Sequence, residues 1–201
     1  MQAQPTAMDF PYGDPATIRS DALQNLDAIE NASLEFGAQH DPSLLSDLRT
    51  WTEHEFIENE TRFRQRKESG WVRECHGDLH AGNIVSFQGQ FTPFDGIEFN
   101  DNFRWIDVLS DFAFLAMDVS VRGQLELSNL LISTYFETTG DYASLPVLRW
   151  YMVYRALVRA KVSNIVMSQH SFASEAFASA SSEQRKLLAL AWDLGRTSIP
   201  K

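Results

Sequence analysis

The chain has 201 residues, of which 44% are hydrophobic and 22% charged, and these fractions are typical of a folded globular protein. Acidic residues outnumber basic ones by 27 to 17, and the net charge of −10 excludes a general nucleic-acid binder, which needs a basic face. The single cysteine, Cys75, excludes an internal disulfide. Because neither a signal peptide nor an apolar run of membrane-spanning length is visible, we expect a cytoplasmic protein that does not contact membranes.

Residues 1–70 predict an irregular lead-in followed by two helices. Prolines and a glycine punctuate residues 1–14, and an apolar pattern of helical period begins at about Ala16. A second helix is expected over residues 42–67, with Gly70 as its stop signal. Its last turns carry the basic run RFRQRK, which suits the negative end of the helix dipole. A phosphate or partner contact is the alternative interpretation of this run.

After Gly70 the pattern changes to short strands and then returns to helices. The strand-like segments are WVREC, IVSF and FTPF, at residues 71–75, 84–87 and 91–94. Helical patterns cover residues 103–120, 123–138, 145–167 and 181–195. We therefore predict a mainly helical α+β fold, in which residues 15–201 form a single domain with a small β insert.

The segments IVSF and FTPF are separated by QGQ, a spacing that predicts a tight β-hairpin. If Phe87 pairs with Phe91, the paired residue numbers sum to 178, and Asn83 lies opposite Asp95 at the open end. Asp78 lies a short loop upstream and would face the same place. Because amide and carboxylate oxygens suit Mg²⁺, this pairing predicts a magnesium site made by Asn83 and Asp95.

The run HGDLHAGN, residues 76–83, has the spacing of the protein-kinase catalytic loop H-R-D-L-x-x-x-N, with glycine in place of arginine. Together with PFDGIEFN and WIDVLSDFAFL it resembles the aminoglycoside phosphotransferase family of small-molecule kinases, which has a protein-kinase-like fold. It looks closest to a bacterial branch whose members are sometimes fused to a nucleotide-binding ATPase domain. The similar stretch covers about residues 71–119, and YRALVRAKV at residues 154–162 is a further similarity.

This resemblance implies phosphoryl transfer from ATP, with Mg²⁺, to a hydroxyl group of a small molecule. It implies that Asp78 is the catalytic base and that Asn83 and Asp95 hold the magnesium. His76 would be a structural residue of the catalytic loop, and Asp111 would anchor this loop by accepting backbone hydrogen bonds. The resemblance does not identify the acceptor.

The same stretch also permits a transition-metal site, since it holds four ligand-type side chains: Cys75, His76, Asp78 and His80. The glycines within it favour a loop over a strand, and this alternative leaves Asn83 and Asp95 unexplained. His80 is either a contact for substrate or phosphate, or a packed or solvent-exposed residue. Glu98 is either an assisting ligand of the magnesium or a surface carboxylate.

Two pairs of charged residues lie four positions apart and therefore share a helix face. In the pair Asp107 and Asp111, one residue is expected to anchor the loop and the other to be solvated. Arg155 and Arg159 lie on a long, otherwise apolar helix, where they either meet an acidic substrate or pair with acidic neighbours.

Two parts of a kinase are not found in this sequence, namely the glycine-rich cover over the phosphates and the strand lysine. No G-x-G occurs, and of the four lysines only Lys67 precedes the motif, in a helical basic run. We therefore expect a C-terminal lobe that needs a missing N-terminal lobe or a fused domain and transfers phosphate weakly, if at all, without it. The alternative function is a non-catalytic binding or assembly module that keeps this fold.

Overall fold

The computed structural model describes residues 11–36 and 42–196. The helices are α1 (Pro15–Phe36), α2 (Pro42–Glu68), α3 (Asp101–Arg104), α4 (Val108–Val121), α5 (Leu125–Thr139), α6 (Leu145–Ser168) and α7 (Glu175–Arg196). The strands are β1 (Val72–Glu74), β2 (Ile84–Phe87), β3 (Gln90–Pro93) and β4 (Trp105–Asp107), and 3-10 turns cover Ala81–Asn83 and Tyr142–Ser144. Residues 1–10 of the predicted lead-in lie outside the described residues, and α1 begins at Pro15, one residue earlier than predicted.

The hydrophobic core is built around helix α6, which packs against α1, α2, α4 and α7. Helix α6 is apolar around much of its circumference, and such a helix is stable only when neighbours cover it. Its Trp150 and Tyr151 are 1% exposed and pack edge-on against Phe63 of α2, with ring centroids 5.1 and 5.5 Å away. The indole nitrogen of Trp150 donates to the main-chain oxygen of Thr52 at 3.0 Å, so its burial leaves no unpaired donor.

The first small sheet pairs β1 with β4 in antiparallel fashion, with Val72 opposite Asp107. The prediction of one helix over residues 103–120 is therefore wrong at its start, where strand β4 intervenes between α3 and α4. Strand β1 needs a main-chain partner, and residues 105–107 supply it. The pairing continues past the strand, since the N–H of Cys75 donates to the oxygen of Arg104 at 2.7 Å.

The second sheet is the predicted hairpin of β2 and β3, but its register differs from the predicted one. Phe87 pairs with Gln90, so the paired numbers sum to 177 rather than 178. The cause is a two-residue turn in which Gln88 and Gly89 have φ angles of 51° and 78°. Two positive φ values match the twist of the flanking strands, so the tighter turn replaces the predicted three-residue loop.

Helices α2, α5 and α6 agree with the predicted ranges to within two residues at each end. Helix α7 is longer than predicted and begins at Glu175 rather than at residue 181. Its first turn is capped by Ser174, whose hydroxyl accepts from the N–H of Phe177 at 3.1 Å. This cap allows the helix to start in a stretch of small residues that lacks a strong apolar pattern.

The basic end of α2 does more than complement a helix dipole, because Arg66 is buried in an ion-pair network. Its guanidinium donates to both carboxylate oxygens of Asp107 at 2.6 and 2.8 Å, and to Asp141 at 2.6 Å. Asp107 also caps α4 by accepting from the N–H of Leu109 at 2.9 Å. The expectation that either Asp107 or Asp111 is solvated is therefore wrong, since both side chains are buried.

The observed fold is mainly helical with a small antiparallel β part, as predicted. One continuous cluster of buried apolar residues draws on all six long helices. Within the described ranges, no helix combines the length and the hydropathy that crossing a bilayer requires.

Candidate functional site

The loop between β1 and β2 is fastened to the first turn of helix α4 by Asp111. The carboxylate of Asp111 accepts from the main-chain N–H of His76 at 3.0 Å and from that of Gly77 at 3.1 Å. Gly77 has a φ of +84°, and a Cβ there would lie 2.6 Å from the main-chain oxygen of Phe103. Only glycine fits this bend, which immediately precedes Asp78.

His76 joins the loop to the segment that follows the hairpin. Its Nδ1 accepts from the N–H of Asp78 at 3.3 Å, so the neutral ring carries its proton on Nε2. That nitrogen lies 2.8 Å from the main-chain oxygen of Phe94, to which it donates. The main-chain oxygen of His76 also accepts from the N–H of Ile97 at 2.9 Å. His76 therefore holds together the two segments that carry Asp78 and Asp95.

Asp78 is half-buried, and two neighbouring side chains act on one of its carboxylate oxygens. The amide nitrogen of Asn83 lies 3.2 Å from Asp78 Oδ2 and 3.0 Å from its main-chain oxygen. The Nε2 atom of His80 lies 3.4 Å from the same Oδ2. The bond from His80 is the main reason that the pKa of Asp78 lies below its usual range, although burial acts in the opposite direction. Among the described residues nothing donates to Oδ1, which leaves this oxygen free to accept another hydrogen bond.

The ring of His80 is held in place on three sides. Its Nδ1 accepts from the N–H of Gly82 at 3.1 Å, which caps the 3-10 turn and puts the ring proton on Nε2, facing Asp78. A Cβ at Gly82 would lie 2.9 Å from ring atoms, so a larger residue there would displace the ring. The ring also packs against Phe114 of α4, with centroids 5.7 Å apart.

Asn83 and Asp95 do not face each other across the hairpin as the predicted register requires. The main-chain oxygen of Asn83 accepts instead from the N–H of Phe94 at 3.0 Å. Asp95 is the next residue, and its φ of +60° is a left-handed conformation that aspartate tolerates better than most residues. Within the described residues, Asp95 and Glu98 are exposed and form no ion pair with the loop. The structure thus groups His76, Asp78, His80, Asn83 and Asp111 closely, whereas no described contact joins the side chains of Asp95 and Glu98 to this group.

The transition-metal alternative finds no support in the arrangement of its four residues. The Cys75 thiol lies 3.5 Å from the main-chain oxygen of Ile106, and burial raises its pKa to about 12. The ring nitrogens of His76 are both engaged by main-chain groups. No group of three or more His, Cys, Asp and Glu side chains suited to one ion occurs in residues 11–36 and 42–196.

Two residues outside the predicted set also hold the loop. Asp118 of α4 is fully buried, and its carboxylate accepts from the N–H of Ala81 at 3.0 Å. Arg155 of α6 donates to the main-chain oxygen of Gly77 at 3.3 Å. The spacing of Asp118, seven residues after Asp111, puts both on one helix face, and this signal was available in the sequence. The partner of Arg155 is 78 residues away in sequence, and no local pattern indicates it.

No known protein family and no solved structure matches the chain. Over 116 residues the chain is 36% identical to uncharacterized proteins of Mycobacterium bovis and of two strains of Mycobacterium tuberculosis. The match covers 57% of this chain but only 23% of each relative, so the chain corresponds to a small part of these proteins.

Proposed function

We propose that the chain is the C-terminal lobe of an aminoglycoside phosphotransferase-like kinase that transfers phosphate from ATP to a hydroxyl group of a small molecule. The observation that carries this proposal is the hydrogen bonding of the Asp78 carboxylate. Asn83 and His80 orient its carboxylate through Oδ2, and its other oxygen is open. A carboxylate fixed in this way can accept a hydroxyl proton and align the hydroxyl oxygen for attack.

The side-chain oxygen atoms near Asp78 are of the kind that binds a magnesium ion. The amide nitrogen of Asn83 is engaged by Asp78, and no described residue donates to its amide oxygen. Asp95 adds an exposed carboxylate at the adjacent hairpin end. Hard oxygen ligands of this kind suit Mg²⁺, which when bound would neutralise phosphate charge. Asn83 and Asp95 are therefore proposed as its protein ligands.

The nucleotide phosphates need further groups that we assign to another lobe or a fused domain. Lys67, the lysine that precedes the loop, lies in α2 and sits 4.0 Å from Asp14, so it is not placed as a strand lysine. Phosphoryl transfer depends mainly on positioning and charge stabilisation. We therefore propose that this lobe is inactive or weak by itself.

A non-catalytic binding or assembly module is the second candidate, and the hairpin surface favours it. Phe87 and Phe91 are 61% and 86% exposed on the hairpin, and Phe99 beyond it is 84% exposed. Clustered exposed aromatic side chains are typical of contact surfaces. The same surface would also suit a contact with a nucleotide-binding lobe. An activity assay therefore has to decide between the two candidates.

The deciding experiment is an ATP turnover assay on Asp78→Asn, in a version of the chain that carries its nucleotide-binding lobe. Turnover should fall by roughly 10²–10⁴-fold, the usual contribution of a positioned acid–base group, while ATP affinity changes little. Asp101→Asn is the matched control, because Asp101 is an exposed carboxylate of α3. Equal turnover in both variants would remove Asp78 from the chemistry and favour the assembly module.

A further inference from the structure

Helix α6 carries two arginines four positions apart, and the first of them, Arg155, is held by protein groups. The Nε of Arg155 donates to the main-chain oxygen and the hydroxyl of Ser110 at 3.2 and 3.1 Å. A terminal nitrogen donates to Gly77 at 3.3 Å, and the guanidinium stacks over Phe114 at 5.0 Å. Arg155 is buried, and its donors are directed at the protein rather than at a ligand.

The second arginine, Arg159, lies one helical turn further along the same face of α6. Its Nε is buried and has no hydrogen-bond partner, and the guanidinium forms no ion pair with any described residue. Buried donors in folded proteins are nearly always paired, so an open guanidinium beside a candidate active site calls for a ligand. A planar guanidinium binds carboxylate or phosphate oxygens through paired hydrogen bonds.

Helix α6 runs beside α4 in the same direction, since the Tyr151 hydroxyl lies 3.3 Å from Asp107 and the Nε of Arg155 lies 3.1 Å from the Ser110 hydroxyl. One turn further, Arg159 is therefore level with the part of α4 that contacts the loop at His80 and Ala81. The chain as a whole carries a charge of −10 and therefore repels anions in general. Arg159 is thus a local cationic group in an anionic protein, beside the loop that carries Asp78.

Asn83 and Asp95, which would hold the metal of the nucleotide, flank the β2–β3 hairpin, whereas Arg159 lies on α6. A group bound by Arg159 would therefore be held by a different element from the metal, and this favours the acceptor over the nucleotide as the source of the anionic group.

We propose that Arg159 binds an anionic group, a carboxylate or a phosphate, on the small molecule whose hydroxyl Asp78 orients. This inference rests on the proposed function and assigns the acceptor to the class of hydroxy acids, sugar acids or sugar phosphates. A cationic acceptor such as an amino sugar would place its charge against the guanidinium and is disfavoured. Anionic oxygens of the nucleotide have the same chemistry, and the experiment separates the two sources.

The experiment is a binding titration of this chain, followed by NMR of the Arg159 Nε–H and of the loop amides from Gly77 to Gly82. The probes are glucose, glucuronate and glucosamine, which are matched six-carbon sugars of different charge, with inorganic phosphate as the smallest anion and Mg²⁺–ATP as the nucleotide. We expect glucuronate and phosphate to shift the Nε–H signal, and glucuronate to bind at least about tenfold more tightly than glucose. Arg159→Gln should abolish this preference and Arg159→Lys should keep part of it. Arg64→Gln, which removes an exposed guanidinium from α2, should leave it intact.

Three results would overturn the inference. They are equal binding of the three sugars, unchanged glucuronate binding in Arg159→Gln, and a shift of the Nε–H signal by Mg²⁺–ATP but not by glucuronate or phosphate. Because the readout is binding rather than turnover, failure of the kinase proposal can be distinguished from failure of the anion-site proposal. A chain that binds glucuronate through Arg159 but shows no phosphoryl transfer in its longer version contradicts the proposed reaction alone. Transfer to neutral acceptors that Arg159→Gln leaves unchanged contradicts the anion site alone.

Discussion

Apolar side chains are buried in the helical body, formed by α1, α2 and α4 to α7, but exposed on the β2–β3 hairpin. In the body Phe63 is 2% exposed and packs against Trp150, whereas on the hairpin Phe91 is 86% exposed. Burial of apolar area can therefore explain the stability of the body but not of the hairpin. The hairpin is held by its own ladder and by the loop, and its aromatic residues remain available for contact with another surface.

The largest expected effect compares one phenylalanine from each region. Phe63→Ala should lower the free energy of unfolding by about 3–5 kcal/mol, because it opens a cavity among aromatic rings. Phe91→Ala should change it by about 0.5 kcal/mol or less, since the ring is already in solvent. Urea denaturation followed by circular dichroism measures both. A large loss in Phe91→Ala would mean that this face is covered in solution, and sedimentation of the two variants would show whether self-association covers it.

The second prediction compares a buried ion pair with an exposed one. Asp107→Ala leaves Arg66 buried with Asp141 as its remaining partner, and should reduce the free energy of unfolding by about 3 kcal/mol. Glu60→Ala breaks the exposed pair with Arg64 on α2 and should change it by about 0.5 kcal/mol or less. Similar losses in the two variants, measured by urea denaturation, would contradict the burial argument.

The third prediction uses two glycines that share a backbone conformation and differ in their surroundings. Gly77 in the loop and Gly89 at the hairpin tip have φ angles of +84° and +78°, but only Gly77 has atoms close to the position of a Cβ. Gly89→Ala should therefore lower the free energy of unfolding by about 1 kcal/mol, the strain of the backbone alone. Gly77→Ala should lower it by about 2–3 kcal/mol and displace the loop, because the new methyl group meets Phe103. Thermal unfolding measures both variants. Equal losses of stability would mean that the loop shifts to make room for the methyl group at no cost.

The smallest effect concerns the protonation of Asp78. Its folded-state pKa lies below the unfolded value, so its ionisation stabilises the fold above the unfolded pKa, and this contribution is lost as the pH falls through the folded pKa. His80→Asn keeps a side-chain oxygen that can cap the 3-10 turn but removes the bond to Asp78, and should raise the pKa of Asp78 towards its usual value. Carbon NMR of the Asp78 carboxyl group measures this, with His54→Asn as an exposed control. An identical titration in both variants would exclude His80 as the cause.

The sequence predicts the elements of both regions well, because each has a clear local pattern. The apolar periods of α2, α5 and α6 and the alternation around QGQ are such patterns. The one-residue register error at the hairpin arises because Gln88 adopts a positive φ, which an Asn–Gly pair would have signalled and Gln–Gly does not. Strand β4 is hidden in a string of apolar residues that also fits a helix, and only its pairing with β1 decides between them.

In the candidate site, too, features with a local sequence pattern could be predicted and long-range contacts could not. The residues of HGDLHAGN are recognisable from their spacing, and Asp111 lies in a motif of the same resemblance. The contacts of Arg66 with Asp107 and of Arg155 with Gly77 join segments 41 and 78 residues apart. Pairings over such distances depend on how the helices pack, and a single sequence carries no local sign of them.

The two carboxylates of α4 that accept loop N–H groups have a consequence for motion. Asp111 holds the amides of His76 and Gly77, and Asp118 holds that of Ala81, from two sites on one rigid helix. These amides can exchange their hydrogens with solvent only when the loop detaches from α4 or α4 itself opens. The loop therefore unfolds together with the helix. Its conformational entropy is already reduced in the unliganded protein, so ordering it adds little to the entropic cost of binding.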